Sequence, residues 1–187
     1  MYTPHDGVFF CKYTTGISII PDEIVQNNMK KILVLGIGNE LLCDDGIGLK
    51  VVNCANEKLG KAFESVDFKN NYSAGFDLLY DMINFTHAII VDAVCTGKAA
   101  PGFCHKFSIR DIKSMMQCRL ADSHGLNLDT ILAMGEKMGY SMPGNIVILG
   151  IETEDILSFS TEPTYAVKNS VPRVLETIRG ILLQWII

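Results

Sequence analysis

The sequence lacks any apolar run of the roughly 18–20 residues that a membrane-spanning helix needs. It also lacks a basic N-terminal region followed by an apolar stretch, which would mark a secretory signal. Basic residues are in deficit, with 16 Lys and Arg against 21 Asp and Glu and a formal net charge of −5. An acidic, unpatterned surface argues against nucleic acid or anionic membrane as the main partner. We therefore expect a cytoplasmic, monomeric protein with no nucleic-acid or membrane partner.

Cysteine pairs of the C-x-x-C type are also missing. The six cysteines are scattered along 187 residues, whereas secreted disulfide-stapled domains are smaller and denser in cysteine. Reduced thiols in a cytosolic protein fit this pattern better. With 48% apolar and 20% charged residues, the chain has the composition of an ordinary globular protein of one domain.

The composition changes near Met29. Residues 1–28 contain short apolar pieces without a sustained period, whereas Met29 leads almost directly into a clean apolar run. We predict an N-terminal extension at 1–28 and a single α/β domain at 29–187. The pattern leaves open whether the extension is an upstream addition, an artificial one or an added strand.

Strand-like and helix-like segments alternate from Lys31 onward. This alternation predicts an α/β fold, a three-layer sandwich with a twisted, mostly parallel sheet between helices. Apolar runs predict strands at 32–37, 65–68, 88–92 and 146–151 and an edge strand at 101–107. Helical spacing predicts helices at 44–59, 76–83 and 126–138, and a last helix that starts near Pro163 and kinks at Pro172.

A glycine-rich turn follows the first predicted strand, at Gly36-Ile37-Gly38-Asn39. Ligands of open α/β sheets collect at such strand ends. A dinucleotide site would need a third glycine, where this chain has Leu41, and an acidic residue after the second strand, where it has Asn70-Asn71. A nucleotide-binding oxidoreductase is therefore only a minor alternative.

Two carboxylates, Asp44 and Asp45, follow this turn at the start of a predicted helix. Taken singly, each fits helix capping and dipole compensation, worth roughly 0.5–2 kcal/mol. Asp92 ends a central apolar strand, and His124 precedes a helix beside Ser123. His124 alone fits an exposed first-turn residue.

Taken together, two carboxylates from among Asp44, Asp45 and Asp92 and the imidazole of His124 form a candidate metal site. Each lies at a strand end or a helix start, and mixed oxygen and nitrogen donors suit nickel, zinc, manganese or iron. Three protein ligands leave positions open for water or substrate, so a bound ion could polarise a carbonyl or activate water. Spacing alone does not decide whether the three side chains converge.

The sequence resembles the nickel–iron hydrogenase maturation endopeptidases. The likeness runs from Met29 to about Ile178 and is strongest at its beginning. It rests on Ile32-Leu33-Val34-Leu35-Gly36-Ile37-Gly38-Asn39, Asp44-Asp45-Gly46, Ser73-Ala74-Gly75, Ile89-Ile90-Val91-Asp92-Ala93, Pro101-Gly102, Ser123-His124 and Ile148-Leu149-Gly150-Ile151.

This resemblance implies an endopeptidase that removes the C-terminal extension of a hydrogenase large-subunit precursor after nickel insertion. It puts the metal-binding and catalytic positions on Asp45, Asp92 and His124, with nickel from the substrate, or zinc, as the ion. The substrate cleft would be lined by Gly36, Gly38, Asn39, Asn70, Ser73 and Gly75.

Two departures from the family pattern stand out. The family commonly has Asp followed by glycines where this chain has Asn70-Asn71-Tyr72, so an acceptor is kept but a negative charge is lost. The segment 159–163 before the last helix is also longer than usual. The first departure keeps a second hypothesis in view: a metal-dependent binding or chaperone module that recognises the same precursor without cleaving it.

Overall fold

The computed structural model describes residues 30–73, 76–108 and 128–186. These residues form one five-stranded sheet with strand order β2-β1-β3-β5-β4. β1, β2, β3 and β5 run parallel, and β4 pairs antiparallel with β5 at the sheet edge. The strands are β1 Ile32–Ile37, β2 Val66–Asn71, β3 His87–Val94, β4 Cys104–Ser108 and β5 Asn145–Glu152, and the helices are α1 Ile47–Leu59, α2 Phe76–Met82, α3 Leu128–Lys137 and α4 Tyr165–Ile186.

Helices cover both faces of the sheet, and this explains the continuous apolar runs of its central strands. On one face Val51 of α1 and Ile178 of α4 belong to the same core cluster as Val91 of β3. On the other face Leu79 of α2 packs in a second cluster with Ile90 of β3 and with α3. The predicted three-layer α/β architecture is therefore confirmed.

Several element boundaries differ from the sequence prediction. β2 continues to Asn71 instead of ending at residue 68, because its parallel pairing with β1 persists up to Ile37 despite the polar sequence. β3 continues to Val94, since it stays paired with β5. β4 starts at Cys104 rather than 101, because Gly102, with φ of 83°, belongs to the preceding turn.

The helices also differ in detail from the prediction. The segment expected to be helical from residue 44 begins as a 3₁₀ turn, Cys43–Gly46, before α1 starts. α4 runs through Pro172 as one helix. No helix in the described ranges is long and apolar enough to cross a membrane. The four cysteines within those ranges are free thiols.

The ends of α3 and α4 show in which direction these helices run relative to the parallel strands. The Asn84 N–H, just before β3, donates to the Ser141 carbonyl at 2.9 Å, so the chain leaves α3 near the amino ends of the parallel strands. α4 also ends near the amino ends of the strands, because Trp185 makes an edge-to-face contact with His87 at the start of β3, with 4.9 Å between ring centroids. Both helices therefore begin toward the carboxyl ends of the parallel strands.

Candidate active site

The strand order reverses between β1 and β3. From β1 the chain turns to β2 on one side and then crosses to β3 on the other. In open α/β sheets this reversal leaves a crevice at the carboxyl ends of the two strands, where ligands bind. Asp45 follows β1 and Asp92 lies near the end of β3, so both residues belong to this crevice.

Gly38 allows the turn after β1 to close tightly. Its φ of 149° is one that L side chains rarely adopt, and a Cβ at this position would lie 2.0 Å from the Asp45 carbonyl oxygen. The turn therefore folds back directly onto Asp45. The Asn39 N–H donates to Oδ2 of Asp45 at 2.9 Å, and Oδ1 of Asn39 accepts from the Leu41 N–H at 3.0 Å. Asp45 is buried, and the turn itself fixes its carboxylate.

Gly48 brings the start of α1 onto the two strand ends. A Cβ on Gly48 would lie 2.3 Å from the carbonyl oxygen of Ile37 and 2.4 Å from that of Val91. Only glycine permits this approach, because any side chain would collide with backbone on both strands. The close packing holds the 3₁₀ turn that carries Asp45 beside the strand that carries Asp92.

Asp92 has a strongly perturbed acidity. The pKa of Asp92 is raised to about 7, chiefly by desolvation and to a smaller extent by the negative charge of Asp45. The Ala93 N–H, which donates to Oδ1 of Asp92 at 2.8 Å, opposes the shift. The influence of Asp45 on Asp92 shows that the two carboxyl groups lie close enough to interact. Like charges in such proximity favour a shared proton or a cation between them.

Oxygen atoms remain available on both carboxyl groups. Within the described ranges each group accepts one hydrogen bond, through Oδ2 of Asp45 and Oδ1 of Asp92. The other two oxygens, Oδ1 of Asp45 and Oδ2 of Asp92, are the atoms through which a divalent cation would bind, and its charge would compensate the pair. No group of three or more His, Cys, Asp and Glu side chains suited to a metal occurs among the residues that the structure describes. The third predicted ligand, His124, lies outside them.

Asp44 has a structural role that differs from the predicted one. It is fully buried, and its carboxylate accepts from the N–H groups of Glu154 (2.9 Å), Asp155 (3.0 Å) and Thr164 (2.7 Å), and from the Thr164 hydroxyl (3.0 Å). The helical turn that follows Asp44 has no side-chain cap, so the expectation of capping there was wrong. Asp44 instead fastens the loop between β5 and α4 to the crevice.

Asn70 lies at the rim of the crevice, opposite Gly36 in the pairing of β2 with β1. Its Nδ2 donates to Oδ1 of Asn53 on α1 at 2.8 Å. Its own Oδ1 is buried without a hydrogen-bond partner in the described structure, and a Cβ on Gly36 would lie 2.9 Å from it. Asn70 thus ties β2 to α1 while holding an unused acceptor near Gly36.

Two further cleft candidates, Ser73 and Gly75, follow β2 in the sequence. The Ser73 hydroxyl donates to Oδ2 of Asp77 at 2.5 Å, and the Ser73 N–H donates to Oδ1 of Asn71 at 3.0 Å. Ser73 therefore stabilises the local turn before α2. Gly75 lies outside the described residues.

A buried polar cluster beyond the crevice was missed by the sequence reasoning. Glu152, at the end of β5, accepts from the N–H groups of Thr96 and Gly97, both at 2.8 Å, and lies 2.9 Å from Nε2 of His105. Burial would raise the pKa of Glu152, but the hydrogen bonds from Thr96, His105 and Gly97 outweigh it and lower the pKa. The signal was a glutamate directly after an apolar strand. The cluster fixes the loop that follows β3.

The fold and the crevice define an α/β protein with an acidic ligand site at the reversal of strand order. A model of the hydrogenase maturation protease family matches residues 51–181. The hydrogenase 2 maturation protease of Escherichia coli strain K12 is 30% identical over 146 residues, which is 78% of this chain and 84% of that protein. The hydrogenase expression/formation protein HupD of Rhizobium leguminosarum bv. viciae is 26% identical over 159 residues, 83% of this chain and 75% of that protein.

A solved structure gives the same answer. The hydrogenase maturating endopeptidase HybD from E. coli superposes with a TM-score of 0.69 at 28% identity, covering 83% of this chain and 93% of that one. The chain belongs to the hydrogenase maturation protease family and is an endopeptidase hydrolase. The resemblance identified from the sequence is confirmed.

Proposed function

We propose that this endopeptidase removes the C-terminal extension of a nickel-loaded hydrogenase large-subunit precursor in the cytoplasm. Family membership supports the class of reaction, and the acidic crevice supports the way in which nickel is recognised. The observation that carries the proposal is the placement of Asp45 and Asp92 at the reversal of strand order, where Gly48 packs against the ends of both strands. Two neighbouring carboxylates that repel each other favour a divalent cation between them.

In this proposal Asp45, Asp92 and His124 together bind the ion that the precursor carries, or a zinc ion beside the scissile bond. Two carboxylate oxygens and one imidazole nitrogen suit either ion and leave coordination positions for the substrate. A cation in this position supplies polarisation of the peptide carbonyl. The Asn39 N–H keeps Asp45 oriented through Oδ2, so that Oδ1 can bind.

The position of His124 in the sequence is compatible with this role. α3 begins at Leu128, toward the carboxyl ends of the parallel strands. Three residues lie between His124 and Leu128, and four Cα–Cα steps of extended chain span at most about 14 Å. The sequence separation is therefore short enough for the proposed role of His124 beside Asp45 and Asp92.

The remaining cleft residues contribute shape and one acceptor. Gly36 and Gly38 shape the crevice by close packing of the chain itself, because a Cβ at either would collide with the backbone of Gly48 or Asp45. The unpartnered Oδ1 of Asn70 offers a hydrogen-bond acceptor next to Gly36.

Incubation of the purified protein with nickel-loaded precursor, followed by mass spectrometry, tests the proposal. We expect loss of the C-terminal peptide with the wild-type chain and no loss with Asp45→Asn or His124→Ala. Asp67→Asn, an exposed carboxylate on β2, is the matched control and should cleave normally. Unchanged cleavage by the Asp45 and His124 variants would remove these residues from the mechanism.

The second candidate is a non-proteolytic, metal-dependent binding or chaperone module for the same precursor. The one observation in its favour is Asn70, which carries no charge where the family commonly has Asp. The same experiment separates the two functions. Precursor that stays intact while binding the wild-type chain tightly, and only when loaded with nickel, would select the binding module.

A further inference from the structure

Four large apolar side chains are exposed beside the crevice, and we refer to them as the apolar rim: Leu41, Leu157, Phe159 and Tyr165. The exposed fractions are 82% for Leu157, 88% for Phe159, 84% for Tyr165 and 55% for Leu41. Single exposed apolar residues are common on protein surfaces. Here two short segments, 41–44 and 154–165, carry all four.

The two segments are joined along their length. The Ser160 N–H donates to the Leu41 carbonyl at 3.1 Å, and Leu42 forms an isolated antiparallel bridge with Phe159. Further along, the Cys43 thiol donates to the Glu162 carbonyl at 3.4 Å. The backbones of the two segments that carry the apolar rim therefore lie side by side.

The loop that displays the apolar rim is held in a fixed shape. Oδ2 of Asp44 accepts from the Asp155 N–H, and Oδ1 of Asp155 accepts from the Leu157 and Ser158 N–H groups at 3.0 and 2.9 Å. Oδ1 of Asp44 also accepts from the Thr164 N–H, next to Tyr165. The carboxylates of Asp44 and Asp155 therefore fix the backbone of the loop. This loop carries its apolar side chains exposed to water.

The apolar rim is continuous with the crevice. Leu41 donates its N–H to Oδ1 of Asn39, and the Asn39 N–H donates to Asp45, so one turn carries both the edge of the rim and an acidic group of the site. The nearby cations Lys50 and Lys168 lie 3.9 and 2.6 Å from the Glu162 carboxylate, whose single negative charge offsets one of their two positive charges. The side chains of the apolar rim itself offer apolar contact.

We propose that the apolar rim docks an apolar segment of the large-subunit precursor and so positions the scissile bond over the crevice. This inference rests on the proposed function and names the surface that its substrate uses. A loop whose backbone is held in this way loses little backbone freedom on binding.

Kinetic variants test the proposal. Phe159→Ser and the double variant Leu157→Ser with Phe159→Ser remove only exposed atoms, so we expect the thermal midpoint to shift by no more than about 2 °C. We expect KM for nickel-loaded precursor to rise roughly tenfold or more with kcat within about twofold, the signature of lost uniform binding. The matched control is Leu183→Ser, a 44% exposed residue near the far end of α4. Unchanged KM in the double variant would overturn the proposal.

A photo-crosslinker at position 159 identifies the occupant directly. With p-benzoylphenylalanine in place of Phe159, crosslinks to the precursor support the proposal, and the same group at Leu183 should give none. Crosslinks only to a second copy of this chain, or to its own residues, would overturn it. If the wild-type chain fails to cleave, the proposed function fails, but crosslinking to the uncleaved precursor still decides whether the rim is its docking surface.

Discussion

Asp92 links the chemistry of the crevice to the stability of the protein. Its pKa rises from 3.8 to about 7 in the folded chain, chiefly through desolvation. The native state therefore binds a proton more tightly than the unfolded state does between these two values. Without metal, the contribution of Asp92 to the free energy of unfolding is therefore lost progressively as the pH rises from about 4 to about 7.

Asp92→Asn tests this linkage because the amide does not ionise. In the presence of a chelator, we expect the free energy of unfolding of the variant to fall less than that of the wild type as pH increases across this window. Urea unfolding at intervals from pH 4.5 to 8 measures the difference. Asp67→Asn, at an exposed position of β2, should follow the wild type. Parallel curves for wild type and Asp92→Asn would contradict the assigned acidity.

Gly38 is the residue on which the shape of the crevice turn depends most. Gly38→Ala puts a Cβ 2.0 Å from the Asp45 carbonyl oxygen in a backbone conformation that disfavours it. We expect a loss of about 1–3 kcal/mol in stability and at least a tenfold loss in cleavage rate, because the Asn39 contact to Asp45 is displaced. Chemical denaturation and the precursor assay measure the two effects.

Gly97→Ala is the control for backbone conformation alone. Gly97 also has positive φ, of 64°, but nothing lies within 4 Å of the added Cβ. A loss of about 1 kcal/mol with normal cleavage is expected. Equal effects of the two substitutions would mean that the close contact between Gly38 and Asp45 is unimportant.

The loop between β5 and α4 shows how one buried side chain organises an element. Asp44→Ala would leave the N–H groups of Glu154, Asp155 and Thr164 without their acceptor. We expect a loss of about 3 kcal/mol or more in the free energy of unfolding. Amide hydrogen exchange should accelerate at Asp155 and Thr164 well beyond the change in global stability.

Asp155→Ala provides the comparison for this loop. It removes two hydrogen bonds at the partly exposed tip, to Leu157 and Ser158, and should lower stability by less than about 1 kcal/mol. If Asp44→Ala were equally mild, Asp44 would not be the residue that holds the loop.

For the whole molecule, regular elements were easier to predict than the site. The apolar runs of β1 and β5 predicted buried parallel strands, because a strand covered on both faces has no polar alternation. The strand predicted for β2 ended too early, because the last residues of β2 are held by pairing with β1 rather than by their own burial. Pairing between distant segments leaves little trace in a local pattern.

The candidate residues of the site were predictable from the sequence, but the different roles of neighbouring residues were not. Adjacent Asp44 and Asp45 look equivalent in the sequence, yet one bonds the loop before α4 and the other faces Asn39 and Asp92. The difference arises from a loop more than a hundred residues away in the sequence. The partnership of Glu152 with His105 and Thr96 likewise joins distant residues, 47 and 56 positions apart. Only the family resemblance singled out Asp45, and the metal-binding roles of Asp45, Asp92 and His124 stay predictions.

Anomalous X-ray scattering from crystals grown with nickel tests directly whether Asp45, Asp92 and His124 bind the ion together. We expect one strong peak per chain, about 2.0–2.2 Å from an oxygen of Asp45, an oxygen of Asp92 and a nitrogen of His124. Asp45→Asn should weaken or abolish the peak. A peak bound elsewhere, or one that none of these three side chains ligates, would contradict the account.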